Sequence, residues 1–395
     1  MVDLKSIISS FSPYDIKDYI QNNNYKKINL YVDLKNVSNG LWVSDIVQEI
    51  VQNTNITGQY DSSIFQSIIY YSSQWKKFCE SFNIDLNIYF CCDQGKSVYH
   101  QNIDKEYKSN RDISKMNLPD CFHELGPIRF KNIELAERVV NKLPNIYFFN
   151  IPFLEADFLP YFLITRKFSH LEDTLHIVFS NDKDMFQVLN VPNVIMIYKS
   201  HGTKALLTKE DIYFKYLKLD KDSPATRVKY SNLINKVDTK WITAVMALVG
   251  DAGDGVRGLY KVGPKKALEM FSDDYIVSSL IGNDITDVFE RVYNGGKFSL
   301  ECLPLSKLSD KWKDVISNND LVTRSFQLID YEMLCKWLER KDKTEKIDKL
   351  NYLDNILNKT VEIDNVIDLT SSLSKNLPDY QLTENEIVPI FAGVT

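Results

Sequence analysis

Short apolar runs alternate with longer stretches in which apolar residues recur every three to four positions, and the alternation starts at Ile28. Ile28–Val32, Asn87–Cys92, Ile146–Ile151 and Leu175–Phe179 read as buried strands, with Val194–Tyr198 as a further one. Helical spacing fills Ser62–Phe82 and about 132–143, 156–168 and 183–189. Strands alternating with helices predict an α/β fold, a mostly parallel twisted sheet flanked by helices. Before it, residues 1–27 predict one or two amphipathic helices ending at Asn22-Asn23-Asn24. After Tyr198 the pattern turns helical, and polar Lys218–Lys236 predicts a loop or insertion. Lys240–Val249 predicts a helix, followed by a Gly-rich segment and a second helix from Pro264. The last stretch, about 339–395, is charged and Asn/Asp-rich, with one or two helices and an acidic end. The chain therefore divides at about 1–27, 28–205, 206–338 and 339–395.

Composition changes this picture little. A chain of 395 residues, 44% hydrophobic, can bury a large core. None of Cys79, Cys91, Cys92, Cys121, Cys302 and Cys335 forms a CxxC pair, so reduced buried thiols are the better reading than zinc or disulfides. There is no basic leader and no apolar run of 18 residues. These features predict an intracellular protein without a membrane span. The net charge of −6 looks wrong for a nucleic-acid partner. Setting aside eight acids as metal ligands leaves −6 + 8 = +2, and local patches matter more than the total.

Those acids follow the strands. Asp33 follows Tyr31-Val32, and Asp93 follows Phe90-Cys91-Cys92. Glu155 and Asp157 follow the third strand after a short link, and Asp182 and Asp184 follow Val178-Phe179-Ser180. Open α/β sheets bind ligands at the carboxyl ends of their strands, so these six share one rim. Asp251 and Asp254, in the Gly250–Gly255 loop, can face the same way. One Asp after a strand is usually only a helix cap. Eight together are different, because carboxylates about 7 Å apart repel by roughly 2 kcal/mol per pair at an effective dielectric near 20. Oxygen ligands without His or Cys suit hard cations, Mg²⁺ or Mn²⁺.

Three ordered motifs carry a resemblance. Asp182-Lys183-Asp184 with Gln187 resembles a DKD motif. Gly250-Asp251-Ala252-Gly253-Asp254, then Gly258 and Gly263-Pro264-Lys265, resembles a GDxxDN…GxGPK signature. Tyr107-Lys108-Ser109-Asn110-Arg111 resembles a YKxNR stretch. Together, over about residues 28–330, the chain resembles the 5′-nuclease superfamily of flap endonucleases, phage 5′-exonucleases and T-even phage RNase H.

The resemblance implies a PIN-like nuclease core over 28–205, with a helical arch at about 96–142 that threads the free 5′ end. A helix–three-turn–helix module within 206–338 would hold duplex. Asp33, Asp93, Glu155 and Asp157 would form one metal site. Asp182, Asp184, Asp251 and Asp254 would form the second, with two Mg²⁺ ions or Mn²⁺ in their place and K⁺ at the duplex-holding turn. Lys108 and Arg111 would grip the scissile phosphate, and Tyr107 would stack on an unpaired base. Arg257, Gly258, Lys261, Gly263, Lys265 and Lys266 would contact the duplex backbone. Two positions depart from the family pattern: Phe158 replaces an acid found in many members, and His100 stands near where an Arg often precedes YKxNR.

The implied activity is metal-dependent 5′-3′ exonuclease and flap endonuclease cleavage of branched or nicked DNA or RNA–DNA hybrid, as in primer removal. The implied protein is a cytoplasmic monomer, in the host cytoplasm if viral, with a replication clamp or single-strand-binding protein as a further partner. A non-catalytic nucleic-acid-binding homologue and a small-molecule phosphohydrolase are the alternatives. His123, His170, His176 and His201 lack ligand spacing, and Trp75, Trp241, Trp312 and Trp337 read as packing residues. The apolar Ile387–Val394 reads as a strand or tail packing.

Overall fold

The computed structural model describes residues 12–38, 63–109, 130, 132–200, 203–272, 291–296 and 308–359. Arg111, the stretch 110–129 of the expected arch, Cys121, Cys302, His123, His201 and Ile387–Val394 fall outside them.

Six strands form one sheet: β1 (Lys27–Asp33), β2 (Asp85–Gln94), β3 (Ile146–Pro152), β4 (Thr174–Phe179), β5 (Val194–Ser200) and β6 (Thr203–Leu207). Their order is β3-β2-β1-β4-β5-β6. All pairings are parallel except β5 with β6. The chain moves outward through β2 and β3, then returns to the other side of β1 as β4, so the topology switches beside β1. The crevice at such a switch, at the strands' carboxyl ends, is where open α/β sheets bind ligands.

Helices cover both faces, as the near-continuous burial of β4 requires. Side chains alternate between two cores. Leu30, Val32, Phe90, Phe148 and Ile177 pack with Trp75 and Phe78 of α2 (Ser63–Phe82), which follows the 3₁₀ turn Pro13–Ile16 and α1 (Lys17–Asn22). Tyr31, Tyr89, Phe149, Val178 and Met196 face the opposite core. That core includes residues of α4 (Phe158–Phe162), α5 (Ile212–Tyr216), α7 (Ile242–Val249), α8 (Pro264–Phe271), α9 (Asp310–Ser317), α10 (Asn319–Ile329) and α11 (Tyr331–Glu339). α3 (Val98–Ile103) follows β2, and α12 (Thr344–Leu357) packs along edge strand β3. Among the described residues no helix is long and apolar enough to cross a membrane. Cys79, Cys91, Cys92 and Cys335 are buried.

Two expectations fail. Lys218–Lys236 is not a loop: it contains α6 (Pro224–Ile234), started by Pro224 in the first turn and capped by Ser223, whose Oγ accepts from the Thr226 N–H. Only Ile234 is buried, so α6 lacks the apolar stripe by which helices are recognised in sequence. The segment after Tyr198 is not helical but returns as β6, a five-residue antiparallel edge strand too short to show its period. Within the expected helix 156–168, α4 gives way to a π-helical turn over Leu163–Lys167, and the segment after Asp182-Lys183 is a 3₁₀ helix, Asp184–Asn190.

At the corner between α10 and α11, Asp330 is 3% exposed and accepts from the Met333 N–H at 3.1 Å. Burial, the largest cause, raises its carboxyl from 3.8 to about 7 against the opposing backbone bond. The folded state thus keeps a proton between pH 4 and 7 that the unfolded chain releases, so this group's stabilisation is lost as pH rises through that window. Asp330→Asn keeps a capping oxygen without the charge. Urea unfolding should show the variant gaining about 2 kcal/mol on wild type between pH 4.5 and pH 8. A constant difference across that range would refute the assignment.

Candidate metal and nucleic-acid site

The carboxylates meet where the topology predicts. Asp33 ends β1, Asp93 lies near the end of β2, and Glu155 and Asp157 follow β3. Asp182 and Asp184 follow β4, the first of them hydrogen-bonded to Ser180 Oγ through its own N–H at 3.1 Å. Asp33 accepts from the Asn36 N–H at 3.2 Å and from Ser180 Oγ at 3.3 Å, which ties the β1 and β4 loops together. Asp93 accepts the Ala156 N–H and so fixes the β3 loop. The Asp184 N–H donates to Asp182 at 2.9 Å.

Asp251 and Asp254 arrive from the other core. α7 ends at Gly250, whose φ of 75° turns the chain into a two-strand hairpin, β7 (Gly250–Asp251) and β8 (Val256–Arg257). This hairpin brings one oxygen each of Asp184, Asp251 and Asp254 within 4.8 Å of one another, a grouping able to hold an ion. Asp254 also reaches the expected first site: Lys108 Nζ lies 2.5 Å from Glu155 and 3.5 Å from Asp254, and Tyr107 Oη donates to both at 3.3 and 3.4 Å. The two expected sites are therefore contiguous. Lys183 pairs with Asp251 at 3.1 Å.

Burial of like charges is costly here. Asp33 is pushed up to about 7 by burial and then by Asp93. Asp157 and Asp184 are held well above the usual carboxylate range, each by burial first and then by its neighbour, Glu155 or Asp182. Asp182 is raised by burial as well. One oxygen each of Asp157 and Asp184 is fully buried without a hydrogen-bond partner among the described residues. Oxygen-only donors with buried, unsatisfied lone pairs fit a hard divalent cation.

Tyr107 requires a correction. It is not an exposed base platform: it is 4% exposed, stacked on His100 with ring centroids 4.6 Å apart, its hydroxyl held by the two carboxylates. Lys108 has a left-handed φ of 58°, and its N–H donates to the Asp254 carbonyl at 2.8 Å, locking this segment onto the acid-bearing hairpin. His100 is buried at 3% exposure.

The expected duplex contacts lie on one continuous turn. Arg257, Lys261, Lys265 and Lys266 are exposed. Gly263 precedes α8 with open space where a Cβ would sit, so backbone there is approachable. Gly258 meets a packing need as well, since a Cβ on it would lie 2.0 Å from the Val249 carbonyl oxygen. Sequence reading passed over Tyr260, exposed at 79% with Lys261 over its ring and Lys311 bonded to its carbonyl. Its signal was an aromatic between the two glycines of a basic turn. Of the other residues weighed, Trp75, Trp241 and Trp312 are core, Trp337 packs against it, and His176 is buried and bonded to Tyr31, whereas His170 is exposed. Phe158 is wholly buried and packs on Phe162 and Tyr331.

No protein-family model matches the chain. A curated 5′-3′ exonuclease of Aquifex aeolicus (strain VF5) is 28% identical over 213 residues, 53% of this chain. The match spans 64% of that relative's length. Among solved structures, the bacteriophage T5 D15 flap endonuclease, in a pseudo-enzyme-product complex with DNA and metal ions, aligns with a TM-score of 0.54 at 17% identity. The alignment covers 84% of this chain and all of that one. T5 5′-exonuclease with zinc bound aligns with the same TM-score and identity over 83% of this chain and 99% of that one.

Proposed function

We propose that this chain, which shares the fold of the bacteriophage T5 flap endonuclease and 5′-exonuclease, is a divalent-metal-dependent 5′-nuclease of that superfamily. It hydrolyses phosphodiester bonds near the 5′ ends, nicks or flaps of DNA or RNA–DNA hybrid. The observation that carries this reading is the rim of eight carboxylates, two with buried, unpartnered oxygens, facing Lys108. A protein that only bound nucleic acid would gain by losing that negative charge near phosphate.

Divalent ions, Mg²⁺ with Mn²⁺ as substitute, supply positive charge for the phosphate and make the attacking water more acidic when bound. Asp182, Asp184, Asp251 and Asp254 hold one ion. Asp33, Asp93, Glu155 and Asp157 hold the other. Lys108 Nζ, drawn into the acids by Glu155 and Asp254, is placed to meet a phosphate oxygen as negative charge builds on it. Tyr107 and His100 back Lys108, so its position does not depend on solvent-exposed packing. Arg111 is proposed as its partner on the phosphate. The turn from Arg257 to Lys266 grips the duplex backbone, with K⁺ as a candidate ion there and Tyr260 as an added contact. The arch segment passes the free 5′ strand.

The test is cleavage of a 5′-labelled flap duplex in Mg²⁺ and in EDTA. Wild type should cut near the junction only with the metal. Lys108→Ala should lose about 100-fold or more in kcat with little change in duplex affinity. A wild type that binds the flap yet never cuts DNA or RNA-containing strands, with Mn²⁺ also tried, would remove the catalytic reading.

A further inference from the structure

The carbonyls of a helix's last turn have no N–H partners within the helix, so what satisfies them shows what the helix end is built against. In α10 the four such groups belong to Phe326, Gln327, Leu328 and Ile329. The first accepts from the Asp330 N–H at 3.0 Å. The other three are each taken by a side chain from the acid-bearing half of the protein. Tyr99 Oη donates to Gln327 at 2.9 Å, His100 Nε2 bonds Leu328 at 3.1 Å, and Gln187 Nε2 donates to Ile329 at 3.1 Å.

Two of the three donors, Gln187 and His100, sit beside metal-site acids. Gln187 lies three residues after Asp184, and its second amide hydrogen goes to the Asp184 carbonyl at 2.7 Å. Its Oε1 accepts from the Tyr331 N–H at 2.8 Å. All three bonds are buried, and turning the amide over would set oxygen against two carbonyls, so its orientation is fixed. A carbonyl only accepts, so the His100 Nε2 facing Leu328 carries the proton. The ring is thereby held with Nδ1 3.8 Å from Glu155 and its face against Tyr107. One turn earlier, Ser325 Oγ donates at 2.6 Å to the carbonyl of Arg257, the residue that opens the duplex-holding turn. α10 also packs on α7, β8 and α3.

We infer that the carboxyl end of α10 is the positioning element that sets the carboxylates of the β3 and β4 loops relative to the duplex-holding turn, with Gln187 and His100 as positioning residues. Gln187 acts on Asp184 through the backbone of the 3₁₀ turn. His100 acts on Glu155 and Lys108 through Tyr107. This rests on the metal-dependent reading above. Groups that orient ligands from behind typically change metal affinity by about 10–100-fold when removed.

The test is calorimetric titration of the whole chain with Mn²⁺, without nucleic acid. Gln187→Met and His100→Phe should each weaken Mn²⁺ binding about tenfold or more. His100→Gln, whose amide can still donate to the Leu328 carbonyl, should stay close to wild type. Leu353→Ala, a buried truncation in α12, controls for destabilisation and should leave affinity unchanged. If Gln187→Met fails to fold, the contrast between His100→Phe and His100→Gln decides. Wild-type affinity in His100→Phe, or an equal loss in Leu353→Ala, would overturn the inference. A wild type that binds no Mn²⁺ would overturn this inference and the metal-dependent reading together.

Discussion

Asp184→Asn is expected to stop cleavage and, in EDTA, to raise the melting temperature above that of wild type. The two effects have one cause. Asp184 is 9% exposed, and an oxygen of it shares a 4.8 Å grouping with Asp251 and Asp254. Burial and then Asp182 hold its carboxyl well above the usual range, with Lys183 the opposing influence. Two charges about 5 Å apart repel by roughly 3 kcal/mol at an effective dielectric near 20. A neutral amide removes that repulsion and can donate to a neighbouring carboxylate, so a metal-free gain of about 1–2 kcal/mol is expected after relaxation. Saturating Mg²⁺ should reverse the ranking, because a ligand that binds only the folded state stabilises it by mass action. Turnover should fall at least about a thousandfold. A variant that melts below wild type in EDTA would show that these acids are not crowded at a cost. One that still cuts would remove Asp184 from the site.

Gly258→Ala should destabilise the protein by about 3 kcal/mol or more, whereas Gly263→Ala, five residues on, should be nearly neutral. A Cβ on Gly258 would lie 2.0 Å from the Val249 oxygen, 2.2 Å from its carbonyl carbon and 2.7 Å from the Gly250 nitrogen. All three are backbone atoms at the end of α7, where nothing can swing aside. Gly250 cannot absorb the shift, because it is itself pressed against the same strand: a Cβ on it would lie 2.3 Å from the Gly258 nitrogen and 2.6 Å from the Val256 oxygen. A Cβ on Gly263 would meet nothing within 4 Å among the described residues. Urea midpoints of the two variants make the comparison. Equal, small losses would mean that the β7–β8 hairpin carrying Asp251 and Asp254 is looser than its geometry requires.

The sheet was legible in the sequence because each of the first five strands is an apolar run closed by polar residues, and because four of them end in acid. Burial on both faces imposes that pattern directly. α6 was not legible, since a helix exposed on nearly all sides has no stripe to betray it. For the site, sequence order was enough to gather the eight acids but not to show that Tyr107, Lys108 and Asp254 knit the two expected groups into one. Tyr107 was misread because an aromatic before a lysine and an arginine looks the same whether it faces a base or a carboxylate. Gln187 and His100 were visible as letters. Their partners, the carbonyls of Leu328 and Ile329, leave no mark in side-chain sequence.

The spread of the acids along the chain bears on when, during synthesis, the proposed site is complete. Asp33 emerges early in synthesis, but the hairpin bearing Asp251 and Asp254 follows more than two hundred residues later, and α10, on which that hairpin rests, later still. Contacts this distant in sequence form late, after the intervening chain has been made. A ribosome-bound fragment ending before residue 251 contains all six strands of the main sheet yet lacks two of the eight carboxylates and the helix that packs on their hairpin. On the proposed nuclease reading, the order in which its residues appear would keep the growing chain from cutting nucleic acid beside it before the site is complete.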